Sequence, residues 1–141
     1  MNSLLTFIKN KNSDIALLIL RISLSGLMLL HGIGKLLHGV GGIEQMLQGM
    51  GLPSFFAYGV IVGEVVAPLL ILVGWRTRIA SLIFAFNMLV AVLMAHASQI
   101  FTLSPQGGWA IELPALFFLV SLALCFTGAG KYALSSHSIW D

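Results

Sequence analysis

Four stretches of roughly 20 mostly apolar residues constrain this chain more than any other feature, because each is long enough to cross a bilayer as an α-helix. They run about Ile15–Gly34, Ser54–Gly74, Arg78–Ser98 and Trp109–Thr127. The breaks between them are chemically distinct. Residues 36–53 are rich in glycine, Trp75-Arg76-Thr77-Arg78 forms a tight charged turn, and Ser104-Pro105-Gln106-Gly107-Gly108 is a turn cluster. Only 9% of the 141 residues are charged, against about 25% in a typical soluble domain. That is too few to clothe a water-facing surface. The expected class is an all-α membrane protein: a four-transmembrane-helix bundle forming one domain over residues 1–141.

The net charge of +2 comes from a few scattered basic residues, with no stripe to follow a phosphate backbone, so nucleic acid is excluded as a partner. They read better as topology signals. Lys9 and Lys11 precede the first span, Arg76 and Arg78 join the second and third, and Lys131 follows the fourth. The opposite side has Lys35 alone, so the positive-inside rule puts both termini in the cytoplasm. Trp75 and Trp109 stand at span ends, where indole rings favour the interface. The first span resembles a signal peptide, but its apolar run continues to about Gly34 with no small-x-small site to close it, so it is kept as a span. The lone Cys125 cannot form an internal disulfide or a CxxC pair.

In the first outer loop Ile43, Met46, Leu47 and Met50 recur at helical spacing, with Glu44, Gln45 and Gln48 between them. This predicts a short amphipathic helix, lying on the membrane surface or capping the bundle. Gly59, Gly63 and Ala67, and Ala91 with Ala95, follow the small-residue spacing of helix-packing seams. No internal repeat argues for transport.

Arg21, His31, Glu64, Asn87, His96 and Glu112 fall inside apolar spans, where an ionisable group costs at least ~2.5 kcal/mol unless it faces partners. Counting ~1.5 Å per residue from the cytoplasmic face separates them into two layers. The inner layer holds Arg21, Glu64 and Asn87, and opposite charges predict a buried Arg21–Glu64 pair with Asn87 beside it. The outer layer holds His31, His96 and Glu112, with Lys35 and Gln99 at its rim. Imidazoles and a carboxylate there suit ligand binding or proton exchange. Structural histidines compete with that reading, a quinone or other small-molecule site follows, and metal or haem ligation is the weakest alternative. Asn87 and His96, nine residues apart, point about 180° apart on a straight helix, so the layers are not expected to join along the third span. Pro68, one turn after Glu64, is positioned to kink the second span and free a carbonyl there.

Together these residues form a recognisable order. Leu20-Arg21-Ile22, His31-Gly32-Ile33-Gly34-Lys35, Gly51-Leu52-Pro53, Gly63-Glu64, Gly74-Trp75-Arg76-Thr77-Arg78 and Thr127-Gly128-Ala129-Gly130-Lys131-Tyr132 make the chain resemble the DoxX family. The resemblance implies a four-helix protein of the bacterial inner membrane, with family links to quinone or redox-stress handling, often alongside soluble enzymes. By that resemblance Arg21, His31, Lys35, Glu64 and His96 match the family's polar positions, and Glu112 is carried with them. The expected function is a membrane component of a quinone-linked redox system. Its candidate ligand or proton site is His31, Lys35, His96 and Glu112, and its partners are the lipid bilayer, a small apolar redox molecule and a soluble enzyme. No metal is expected and no cofactor is dictated, a quinone fitting better than haem. The alternatives are a non-catalytic scaffold that recruits a soluble enzyme, or a small-molecule or proton transporter, for which a homo-oligomer would supply the pathway.

Overall fold

A computed structural model describes residues 2–141, apart from the side chains of residues 2–4 and 7–12, so those of Lys9 and Lys11 lie outside the described residues. The chain folds as α1 (Asn2–His38), α2 (Gly41–Gly49), α3 (Ser54–Val73), α4 (Thr77–Ala95) and α5 (Glu112–Thr127). The expected all-α membrane bundle is what forms. Ser13–His38 within α1, together with α3 and α4, is long and apolar enough to cross a membrane. The fourth apolar helix, α5, is shorter than the expected span, with 16 residues and a start at Glu112, not at Trp109. The preceding residues spend their backbone bonds on a turn: Ser104 N–H donates to Gly108 O at 2.7 Å and Ala110 N–H to Thr102 O at 3.1 Å. Trp109 is held there by its indole N–H, which donates to Ile100 O at 2.7 Å.

The packing order is α1–α3–α4–α5 around the bundle. Leu24 and Met28 of α1 meet Ala67 and Ile71 of α3, Ala80, Phe84 and Met88 of α4, and Phe117 and Leu124 of α5. Phe84 and Phe117 pack edge to face, with ring centroids 6.2 Å apart, an arrangement the ring quadrupoles favour. The predicted amphipathic helix is α2. It caps the bundle: Leu47 is buried against Val40 and Ala57, with Ile43, Ile61 and Met94 around them.

At the opposite end, here called the arginine end, α3 stops at Gly74, whose φ of +73° suits glycine. The last carbonyls of a helix have no partner within it and must find one elsewhere. Here every one is accounted for. Leu70 O accepts from Gly74 and Trp75 N–H, Val73 O from Leu134 N–H and Gly74 O from Ser135 N–H. Ile71 O and Leu72 O accept from Arg21 Nε and Nη2, both at 2.8 Å. Arg21 Nη1 reaches on to Ala129 O at 3.0 Å and Tyr132 O at 2.6 Å, tying the C-terminal segment to the bundle. Arg78 does the same for α5, donating through Nη1 to Phe126 O at 2.9 Å and through Nε to Asp141 O at 3.0 Å. Two cations thus sit at two helix C-termini, where the helix dipole favours them.

The expected Arg21–Glu64 pair does not form. Helical side chains lean toward the N-terminus of their own helix, and α1 and α3 run antiparallel. Arg21 therefore leans toward the arginine end while Glu64 leans toward α2. Similar backbone depths do not bring them together.

Asp141 closes the C-terminal segment. Its carboxylate accepts from Ser135 Oγ at 2.6 Å, Ser138 N–H at 2.8 Å and Arg76 N–H at 3.1 Å. The Ser135 hydroxyl first, then the Ser138 and Arg76 amides and the Arg76 charge, hold this carboxyl down at about 2, from an ordinary 3.8. A carboxyl depressed in the folded state stabilises above its unfolded value, and that contribution drains away as pH falls through the folded one. The wild type is therefore expected to lose melting temperature between pH 3.8 and about 2 relative to Asp141→Asn. Thermal unfolding of both proteins across that window measures it, and a difference that does not vary with pH would refute the capping role.

Candidate functional site

The site grows out of one backbone irregularity. Pro68 has no N–H to give the carbonyl four residues back, and its ring crowds that carbonyl. The carbonyl belongs to Glu64. Around it α3 widens into a π-helical turn over Val62–Val66, with Ala67 N–H bonding to Val62 O. Such turns accommodate the missing bond by admitting one extra residue.

Two glycines accept the consequences. A Cβ on Gly32 of α1 would collide with the Glu64 carbonyl oxygen, and would stand 2.6 Å from Val65 Cγ2. A Cβ on Gly63 would run into the Asn87 side chain, at 2.5 Å from its Cβ and 2.6 Å from its Oδ1. Gly32 thus places Glu64 level with the upper part of α1, and Gly63 lets Asn87 press against the turn from α4.

Lys35 completes the arrangement. Its side chain leans down α1 while Glu64 leans up α3, and Nζ meets Glu64 Oε1 at 2.5 Å. The Lys35 side chain is 34% exposed and that of Glu64 5%, so the pair reaches outward from a buried carboxylate to a lysine at the chamber's edge. The second carboxylate oxygen, Glu64 Oε2, is buried without a hydrogen-bond partner, and so is Asn87 Nδ2. A buried polar group left unmatched costs about 1–3 kcal/mol. The Ser25, Thr77 and Ser81 hydroxyls are unmatched as well, but here two such atoms stand beside one ion pair.

Several clefts border these groups. One of about 220 Å³ is bounded by Lys35, Glu64, Asn87 and His96, with Ile43 and Met46 of α2 over it. A second of about 210 Å³ lies toward α1 and α5, with His31, Lys35, Glu64 and His96 facing Leu113, Pro114 and Phe117. A third of about 340 Å³ runs between α3 and α4 on the bundle's outer face, and Asn87 is its principal polar group. The walls are otherwise apolar.

The structure therefore regroups the sequence-predicted residues. His31, Lys35, His96, Glu64 and Asn87 line adjoining clefts, drawing members from both expected layers. His96 and Asn87 border the same cleft despite the helical-wheel argument. His96 stands beyond the last helical residue with φ −131° and ψ 13°, so the wheel does not set its direction, and its Nδ1 lies 3.1 Å from Gln99 Oε1. Arg21 belongs to the arginine end. Glu112 is exposed at the start of α5 and turned to the backbone at Gly108, and these clefts are lined by Leu113 and Pro114 instead. The Lys35–Glu64 pairing is the contact that depth counting missed. Its signal was present in Pro68, which displaces Glu64, and in Gly32, which receives it.

The family model described as DoxX matches residues 16–97, a stretch that includes Arg21, His31, Lys35, Glu64, Asn87 and His96. A Bacillus subtilis (strain 168) protein named "Putative oxidoreductase CatD" is 32% identical over 125 residues, covering 89% of this chain and 88% of its own length. The Escherichia coli (strain K12) protein named "Inner membrane protein YqjF" is 29% identical over 131 residues, covering 88% of this chain and 92% of its own length. No solved structure matches the chain. The chain belongs to the DoxX family.

Proposed function

We propose that this DoxX-family protein is a component of a bacterial inner-membrane redox system that binds a quinone, or a similar apolar carbonyl compound, around Lys35, Glu64, Asn87 and His96. The observation that carries the reading is the pair of unmatched buried atoms, Asn87 Nδ2 and Glu64 Oε2, between apolar clefts. A quinone carbonyl needs donors, which Asn87 Nδ2 and Lys35 Nζ supply. Its reduced hydroxyl needs an acceptor, which Glu64 Oε2 supplies. The apolar walls exclude water and so strengthen each of these contacts. When bound, a quinone supplies two-electron carrier chemistry. His96, in the cleft under α2, and His31, in the cleft toward α1 and α5, flank the ion pair as proton donors and acceptors.

The names of the relatives support the assignment in part: one carries the word oxidoreductase and one the inner membrane. We further read residues 1–141 as one domain with both termini cytoplasmic. Arg76, Arg78 and Lys131 lie at the arginine end with Arg21, as the positive-inside rule asks of the cytoplasmic side.

The test is equilibrium binding of a short-chain ubiquinone to purified protein in lipid nanodiscs. Glu64→Gln and Asn87→Leu are each expected to weaken binding about tenfold, the loss of roughly one matched polar contact. His31→Ala is expected to change it less. Binding that is the same in the wild type and in both cleft variants would remove the site.

A further inference from the structure

The cleft between α3 and α4 opens on the outer face of the bundle. Phe56 and Phe86, on its two sides, are 52% and 66% exposed. In a bilayer that exposure is to acyl chains. Along α4 the lining runs from Ile83 to Met94, roughly 16 Å of helix. At its floor the cleft shares Val60, Asn87, Val90 and Met94 with the chamber holding Lys35 and Glu64. These four side chains form the wall common to the two clefts.

The mouth is kept open by a glycine the backbone does not require. Gly59 has φ −60° and ψ −28°, which any residue adopts, and a Cβ there would meet nothing within 4 Å. Glycine in such a position weakens the helix relative to alanine. Its effect here is to leave the wall of the cleft bare. Asn87 Nδ2, buried and unmatched, stands at the inner end. An acyl chain of a bulk phospholipid offers that donor nothing, whereas a ligand with an oxygen head and an apolar chain matches both ends.

We propose that this cleft receives the alkyl or isoprenoid chain of a membrane-resident ligand whose carbonyl or hydroxyl head lies beyond Asn87, so that the ligand enters sideways from the bilayer between α3 and α4. The inference rests on the head-site reading above and names its ligand class: a tailed, lipid-soluble carbonyl compound, not a water-soluble one. Chain length becomes a determinant of recognition, and the α3/α4 wall becomes the surface that reads it.

The experiment compares two tritiated probes, decylubiquinone and the tail-less ubiquinone-0, on the full chain in nanodiscs of fixed phospholipid composition. Gly59→Leu fills the cleft from α3 and Ile83→Trp from α4, and thermal unfolding monitors the fold of each. Because the lipid is constant, partitioning of a probe cancels between variants. Each variant is expected to bind decylubiquinone about tenfold more weakly than the wild type and ubiquinone-0 within about twofold of it. Variants that bind decylubiquinone as tightly as the wild type overturn the cleft, including the case in which phospholipid occupies it permanently, while the head site stands. Loss of both probes from a folded variant also overturns it, since a tail-less head needs no chain groove. A wild type that binds neither probe removes the head-site reading and this inference with it. If one substitution unfolds the bundle, the other, from the opposite wall, decides.

Discussion

Replacing Arg21 with alanine is expected to lower the stability of the bundle by about 3–5 kcal/mol, roughly the loss of two charge-assisted hydrogen bonds. Its guanidinium donates to Ile71 O, Leu72 O, Ala129 O and Tyr132 O, and the residue is 1% exposed. Hydrogen bonds to charged groups contribute roughly 1.5–3 kcal/mol each. The four do not add, because carbonyls near the membrane boundary regain some partners from water once the side chain is gone. Arg21→Met keeps most of the volume and removes the donors, so it separates hydrogen bonding from packing and is expected to lose nearly as much. Arg21→Lys is expected to recover less than half, since one ammonium cannot fork across carbonyls on two separate elements. Reversible unfolding in mixed micelles, followed by circular dichroism, measures the stabilities. Limited proteolysis gives a second readout, because residues 128–141 should become cleavable when Ala129 and Tyr132 lose their anchor. An Arg21→Ala protein within about 1 kcal/mol of the wild type would mean that those carbonyls are already served by water.

That result would also locate where sequence reasoning stopped. The spans were legible because bilayer thickness fixes their length, and the capping helix was legible because Ile43 and Leu47 recur on one face. The partners of the buried charges were not. A hydropathy pattern places Cα atoms along the membrane normal, but says nothing of which way a side chain leans. In antiparallel helices two groups at similar depth lean apart, as Arg21 and Glu64 do. Two at different depths can lean together, as Lys35 and Glu64 do. Arg21 was further hidden because its partners are backbone carbonyls, which every residue has and no motif marks. His96 was misdirected by a wheel that ends one residue earlier, at Ala95. Glu112 was grouped with the histidines by depth alone, and its place on the exposed face of α5 depends on a turn at 102–110 that shortens the helix.

The Lys35–Glu64 pair should respond asymmetrically to the loss of either partner. Removing lysine leaves a carboxylate that is 4% exposed with no countercharge. Lys35→Ala is therefore expected to cost about 3 kcal/mol, the low end of the range for a broken buried pair. Removing the carboxylate leaves a lysine one-third exposed, whose flexible stem can carry its charge toward the α2 end. Glu64→Ala is therefore expected to cost only about 1 kcal/mol beyond its lost packing. The double variant Lys35→Met/Glu64→Leu replaces the pair with apolar groups of similar size, a change often neutral or stabilising in buried sites. It is expected to match or exceed the wild type in unfolding free energy while binding no short-chain ubiquinone. Stability gained together with binding lost would show that the charges are retained at a cost, for recognition. A double variant about as unstable as Lys35→Ala alone would instead make the pair a register lock between α1 and α3, with the unmatched oxygen of Glu64 a by-product of the π-helical turn.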